Sequence, residues 1–104
     1  MADDVRVRAR IHLLATEAGG RATPLAGGTS YRPNHNFFGP DSRAMSIGFI
    51  DLPERTIAPG DTFEAEIRFL MWEGIIDKVS PGRTWRIQEG AKLVGTGEVL
   101  DLLD

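Results

Sequence analysis

Val5, Val7, Ala9, Ile11 and Leu13 alternate with Arg6, Arg8, Arg10 and His12, the period-two signature of a strand with one buried and one wet face. The first strand is read as Val5 to Thr16. From Glu17 to Ser30 the chain carries Gly19-Gly20, Pro24 and Gly27-Gly28, residues that permit positive φ or fix it, and this predicts a long irregular loop. A second strand runs from Tyr31 to Phe38, and because Pro33 has no N–H to give to a ladder, it must lie at an edge or pair only beyond that residue.

Gly39-Pro40-Asp41-Ser42 turns the chain into a third strand in which Met45, Ile47 and Phe49 alternate with small residues, ending at Ile50-Asp51-Leu52-Pro53. Ala58-Pro59-Gly60-Asp61 has the proline and glycine positions of a type II turn. In the fourth strand Phe63, Ala65, Ile67, Phe69 and Met71 face one way while Glu64, Glu66 and Arg68 face the other. Ser80-Pro81-Gly82 precedes a short strand from Thr84 to Gln88, and the Glu89-Gly90-Ala91 turn leads to a last strand from Lys92 to about Leu102.

Six short strands without a helix predict an all-β fold. A closed six-stranded antiparallel barrel is preferred over a sandwich, since closure leaves no open edge. Gly95 and Gly97 share a face of the last strand, which predicts a sharp bend or the close approach of another backbone.

At 104 residues the chain is expected to form one domain over 1–104. With no cysteine there are no disulfides and no thiolate chemistry. The charged residues among Met1 to Arg10 and the lack of a long apolar run leave no secretory signal or membrane span, so cytoplasmic residence is expected. A net charge of -3 gives no whole-molecule attraction to nucleic acid, so any RNA contact must be local.

There is no phosphate-binding loop of the glycine-lysine-serine/threonine type, so no nucleotide binding is expected of this chain alone. His12 and His35 are the only histidines and show no metal-ligand spacing. Glu64 and Glu66 share a solvated face, and no strained nucleophile turn surrounds Ser30, Ser42, Ser46 or Ser80. The expectation is a protein without catalytic residues, metal or cofactor, a pocket at a barrel mouth being the remote enzymatic alternative. The row Arg6, Arg8, Arg10 and His12 is either a track for a phosphate backbone or one side of cross-strand pairs with Glu64, Glu66 or Glu98, and the pairing is preferred.

Three stretches, Gly19-Gly20-Arg21-Ala22-Thr23-Pro24, Tyr31-Arg32-Pro33 and Glu89-Gly90-Ala91-Lys92-Leu93-Val94-Gly95-Thr96-Gly97, resemble in order and spacing the third, C-terminal domain of elongation factor Tu. Asp51-Leu52-Pro53-Glu54 and Ala58-Pro59-Gly60-Asp61 extend the likeness over nearly the whole chain from about Arg8. The resemblance implies a six-stranded barrel that helps hold the T-stem of aminoacyl-tRNA, here as a freestanding derivative unable to couple binding to GTP hydrolysis.

It also implies RNA- or partner-binding roles for Arg21, Arg32, Asn34, Glu89, Gly90, Lys92 and Thr96. Several positions differ from the family: Ala22 stands where a histidine is usual and Gln88 where an arginine is, while Asn34 replaces a glutamine and keeps its amide chemistry on a shorter arm. The segment from Asn34 to Ala44 is longer, and Glu73-Gly74-Ile75-Ile76 replaces a His/Lys-Pro stretch. Trp72, Ile75 and Ile76 form either an exposed protein-contact loop or a packed loop over one barrel end.

The leading expectation is a non-enzymatic binding module contacting tRNA, other RNA or a translation-factor protein. The alternative is a protein-interaction or regulatory barrel that imitates this domain without an RNA role. Either way, the Glu89 to Lys92 turn must lie near the Arg21 loop.

Overall fold

The computed structural model describes residues 4–72 and 74–103; Met1, Ala2, Asp3, Glu73 and Asp104 lie outside the described residues, and with them the start of the charged N-terminal stretch and the first residue of the Glu73-Gly74-Ile75-Ile76 segment. The strands are β1 (Asp4–Leu13), β2 (Ser30–Tyr31), β3 (Asn34–Asn36), β4 (Ser46–Asp51), β5 (Thr62–Leu70), β6 (Thr84–Glu89) and β7 (Lys92–Leu102). All pairings are antiparallel. The order β4-β3-β6-β7-β1-β5 closes on itself through the pairing of β4 with β5, giving a six-stranded barrel with β2 attached to β4.

β2 and β3 are the two halves of the single strand expected over Tyr31 to Phe38. The break falls at Arg32-Pro33, as a missing ladder donor dictates. β3 stops at Asn36 rather than Phe38 because Asn36 Oδ1 accepts the N–H groups of Phe38 (2.8 Å) and Gly39 (3.2 Å), turning the chain out of the sheet. β1 likewise ends at Leu13 rather than Thr16, after which the chain makes a 3-10 turn over Thr16–Ala18. A second 3-10 turn spans Ile75–Lys78, and these turns are the helical elements among the described residues.

The inward side chains of β1 and β5, Val5, Val7, Ala9, Ile11 and Leu13 with Phe63, Ala65, Ile67 and Phe69, are buried as their alternation requires. Met71 does not continue this row: the strand has ended at Leu70, and Met71 is 49% exposed. β4 departs more from its sequence pattern, for its small residues Ser46 and Gly48 point inward and Ile47 points to solvent. The space inside is already filled. A Cβ on Gly48 would stand 2.7 Å from the Phe69 ring and 2.9 Å from that of His35, so only glycine lets the aromatic core reach the sheet.

That core joins Phe69, Phe37, Trp85 and His35, with Phe37 stacked on Trp85 at 5.4 Å and His35 edge-on to Phe69 at 4.9 Å between centroids. Gly95 and Gly97 serve close approach: a Cβ would come within 2.6 Å of the His12 carbonyl oxygen at Gly95 and 2.5 Å of the Trp85 ring at Gly97.

Candidate nucleic-acid interface

The tight turn after β6 has Gly90 in the left-handed region at φ 61°, pairing Glu89 with Lys92. This turn lies against the loop that follows β1. Arg21 donates from Nη1 to Glu89 Oε2, and the Tyr31 hydroxyl donates to the same oxygen at 2.6 Å. Arg21 is further held by Nε to the Thr23 carbonyl at 3.1 Å and Nη2 to Thr23 Oγ1 at 3.3 Å, with its guanidinium 5.7 Å from the Tyr31 ring centre. Burial, then the hydrogen bond to Glu89, push the Tyr31 phenol well above the ordinary tyrosine value, so it stays a donor.

Around this contact lie two shallow depressions that share Asn34, Gln88 and Gly90. One, about 340 Å³, includes Tyr31, Arg32 and Glu89; the other, about 270 Å³, includes Arg43 and Met45. Asn34 Nδ2 donates to the Gly90 carbonyl at 3.4 Å, tying β3 to the turn. Arg32, Arg43 and Lys92 are exposed, and among the described residues none has an ionic or hydrogen-bonding partner. Arg43 is an addition to the expected set; as an isolated arginine in an irregular segment it carried no sequence pattern. Thr96 lies elsewhere, on the outer wall opposite His12 and Arg86.

Gln88, where the resemblance implied a lost arginine, is buried at 3% exposure. Its Oε1 accepts from Asn36 at 2.9 Å and its Nε2 donates to the Gly90 carbonyl at 3.3 Å. The amide therefore braces the turn from inside.

The basic row of β1 is neutralised. Arg6 pairs with Glu66 at 3.0 Å, Arg8 with Glu64 at 2.9 Å and Asp101 at 3.1 Å, and Arg10 with Glu98 at 3.2 Å. The preferred cross-strand reading holds, so this β1 row is not an open phosphate track.

Of the three residues expected in a contact loop, Ile75 is fully buried and belongs to the core, so the packed-loop alternative describes it. Ile76 is 50% exposed, and Trp72 is half-buried, donating from Nε1 to Ser46 Oγ at 2.8 Å. Beside Trp72 an apolar groove of about 410 Å³ is lined by Phe38, Met45, Ile47, Leu70 and Met71. Outward-facing Ile47 and the early end of β5 produce it.

Among curated proteins, elongation factor Tu 2 of Streptomyces avermitilis is 36% identical over 100 residues, covering 95% of this chain. The chain is a β-barrel of the elongation factor Tu C-terminal-domain type. It spans 23% of that relative's length, and the closed ring of six antiparallel strands is the fold expected of the type. No family model matches the chain. In this elongation factor Tu-type barrel no helix among the described residues is long and apolar enough to cross a membrane, and no group of three or more His, Asp or Glu among them could hold a metal ion.

Proposed function

We propose that this translation-factor-related barrel acts by binding rather than catalysis, and that it contacts the phosphate backbone of tRNA or another structured RNA at the Gly90 turn. The observation that carries this is the contrast between two sets of cations. The β1 arginines of the barrel wall are matched by carboxylates, whereas the side chains of Arg32, Arg43 and Lys92 around the turn have no ionic or hydrogen-bonding partner among the described residues. Partnerless exposed cations gain most from displacing counterions at a polyanion. Asn34 adds a polar group for sugar or base edges.

Three phosphate contacts would weaken binding roughly 20- to 40-fold between 50 and 200 mM salt. Titration of a folded RNA at both salts checks this. The variant with Arg32, Arg43 and Lys92 all changed to Gln should lose both the affinity and the salt dependence. Binding unchanged in that variant overturns the proposal.

A second reading is favoured by the apolar groove beside Trp72, a surface suited to a protein partner. In that case the barrel is a regulatory domain occupying a partner of elongation factor Tu. Its binding would survive the triple variant and be abolished by Leu70→Glu, both read by co-purification with translation factors.

A further inference from the structure

Arg21 differs from every other arginine that pairs with a carboxylate in this fold. Those of the wall sit on half-exposed side chains between neighbouring strands, while Arg21 has 20% side-chain exposure and bridges the loop after β1 to the β6–β7 turn. Its guanidinium is held in place by Thr23 independently of Glu89. Glu89 in turn is fixed by the Tyr31 hydroxyl, and it forms one wall of the depression that holds Arg32. A carboxylate and a phosphate present the same paired oxygens to a guanidinium.

We infer that Glu89 is a built-in competitor: it occupies the phosphate position of Arg21, and RNA phosphate must displace it before Arg21 joins Arg32, Arg43 and Lys92. This regulation rests on the RNA reading above. Thr23 keeps the guanidinium in place after the exchange, so the swap needs rotation of the Glu89 side chain and release of its bond from the Tyr31 hydroxyl. The pair adds no net charge to the interface in the wild type, and one positive charge in Glu89→Gln.

The test is a double-mutant cycle on a folded RNA hairpin, using the full chain as wild type, Glu89→Gln, Arg21→Gln and the double variant. Glu89→Gln should bind about tenfold more tightly, with a salt dependence steeper by about one phosphate. In the Arg21→Gln background the gain should vanish. Tyr31→Phe, which frees the carboxylate without removing it, should give a smaller gain in the same direction and serves if Glu89→Gln misfolds.

An unchanged or weaker affinity in folded Glu89→Gln, or a gain that persists without Arg21, overturns the competitor while leaving the RNA reading intact. If no variant binds RNA, the RNA reading falls. The competitor is then decided by the Arg21 guanidinium nuclear magnetic resonance signal on adding inorganic phosphate: a shift in Glu89→Gln but not in wild type upholds it, and equal responses overturn it.

Discussion

The indole N–H of Trp85 donates to Nδ1 of His35 at 3.0 Å in the middle of the barrel, leaving Nε2–H of His35 to donate to the Gly48 carbonyl at 3.2 Å. Both ring nitrogens are used by the neutral form. Burial, the larger effect, lowers the His35 pKa from 6.5 to about 4, partly opposed by the bond to Gly48.

Acid should therefore destabilise the fold through this histidine. The unfolded chain takes up a proton near 6.5 while the folded one resists until about 4, so stability is fully present above the first value and falls as the pH drops between them. The loss is on the order of 3 kcal/mol. Urea midpoints measured from neutral pH down to 4 should fall along this window. In His35→Phe that component of the slope should disappear, whatever the variant's absolute stability.

Arg8, although it contacts two carboxylates, should matter little. Its side chain is 50% exposed, and exposed ion pairs contribute about 0 to 1 kcal/mol. Arg8→Ala should shift the thermal midpoint by no more than a few degrees. Its RNA affinity should match wild type within about twofold, since its charge is already matched. A tenfold loss would place the RNA on the barrel wall instead.

Adjacent isoleucines in the Ile75–Lys78 turn should respond oppositely. Ile75→Ala removes a fully buried side chain and should cost about 2 to 4 kcal/mol by urea denaturation. Ile76→Ala, at a position 50% exposed, should stay within about 0.5 kcal/mol. Its effect belongs to partner binding, if the groove beside Trp72 is used.

The parts of the fold legible in the sequence are those with one wet and one dry face. β1 and β5 announce themselves because Arg6, Arg8 and Arg10 and then Glu64 and Glu66 interrupt apolar residues at every second position. β4 reads ambiguously: its apolar residues Ile47 and Phe49 lie outside, and only the crowding of Gly48 by Phe69 and His35, distant in sequence, decides its orientation. Local pattern carries no information about such crowding. The meeting of Arg21 with Glu89 came through the family resemblance and not through spacing, since 68 residues separate them. Arg43 and the groove beside Trp72 depend on where β3 and β5 stop, and side-chain capping by Asn36 sets the first of these ends.

The ladders around the barrel are unequal. β1 is zipped to β5 from Asp4 to His12 and to β7 from Val7 to Leu13, whereas β4 closes on β5 through Gly48, Phe49 and Ile50 alone and meets β3 only at Ile47 and Ser46. The cylinder thus has a stout back and a thin seam. Amide protons along the seam should exchange first, because regional opening follows the local density of hydrogen bonds. The Gly90 turn borders β3 and the apolar groove borders β4, so the quadrant able to yield to a ligand is the one where a ligand would arrive, while the opposite staves keep the molecule assembled.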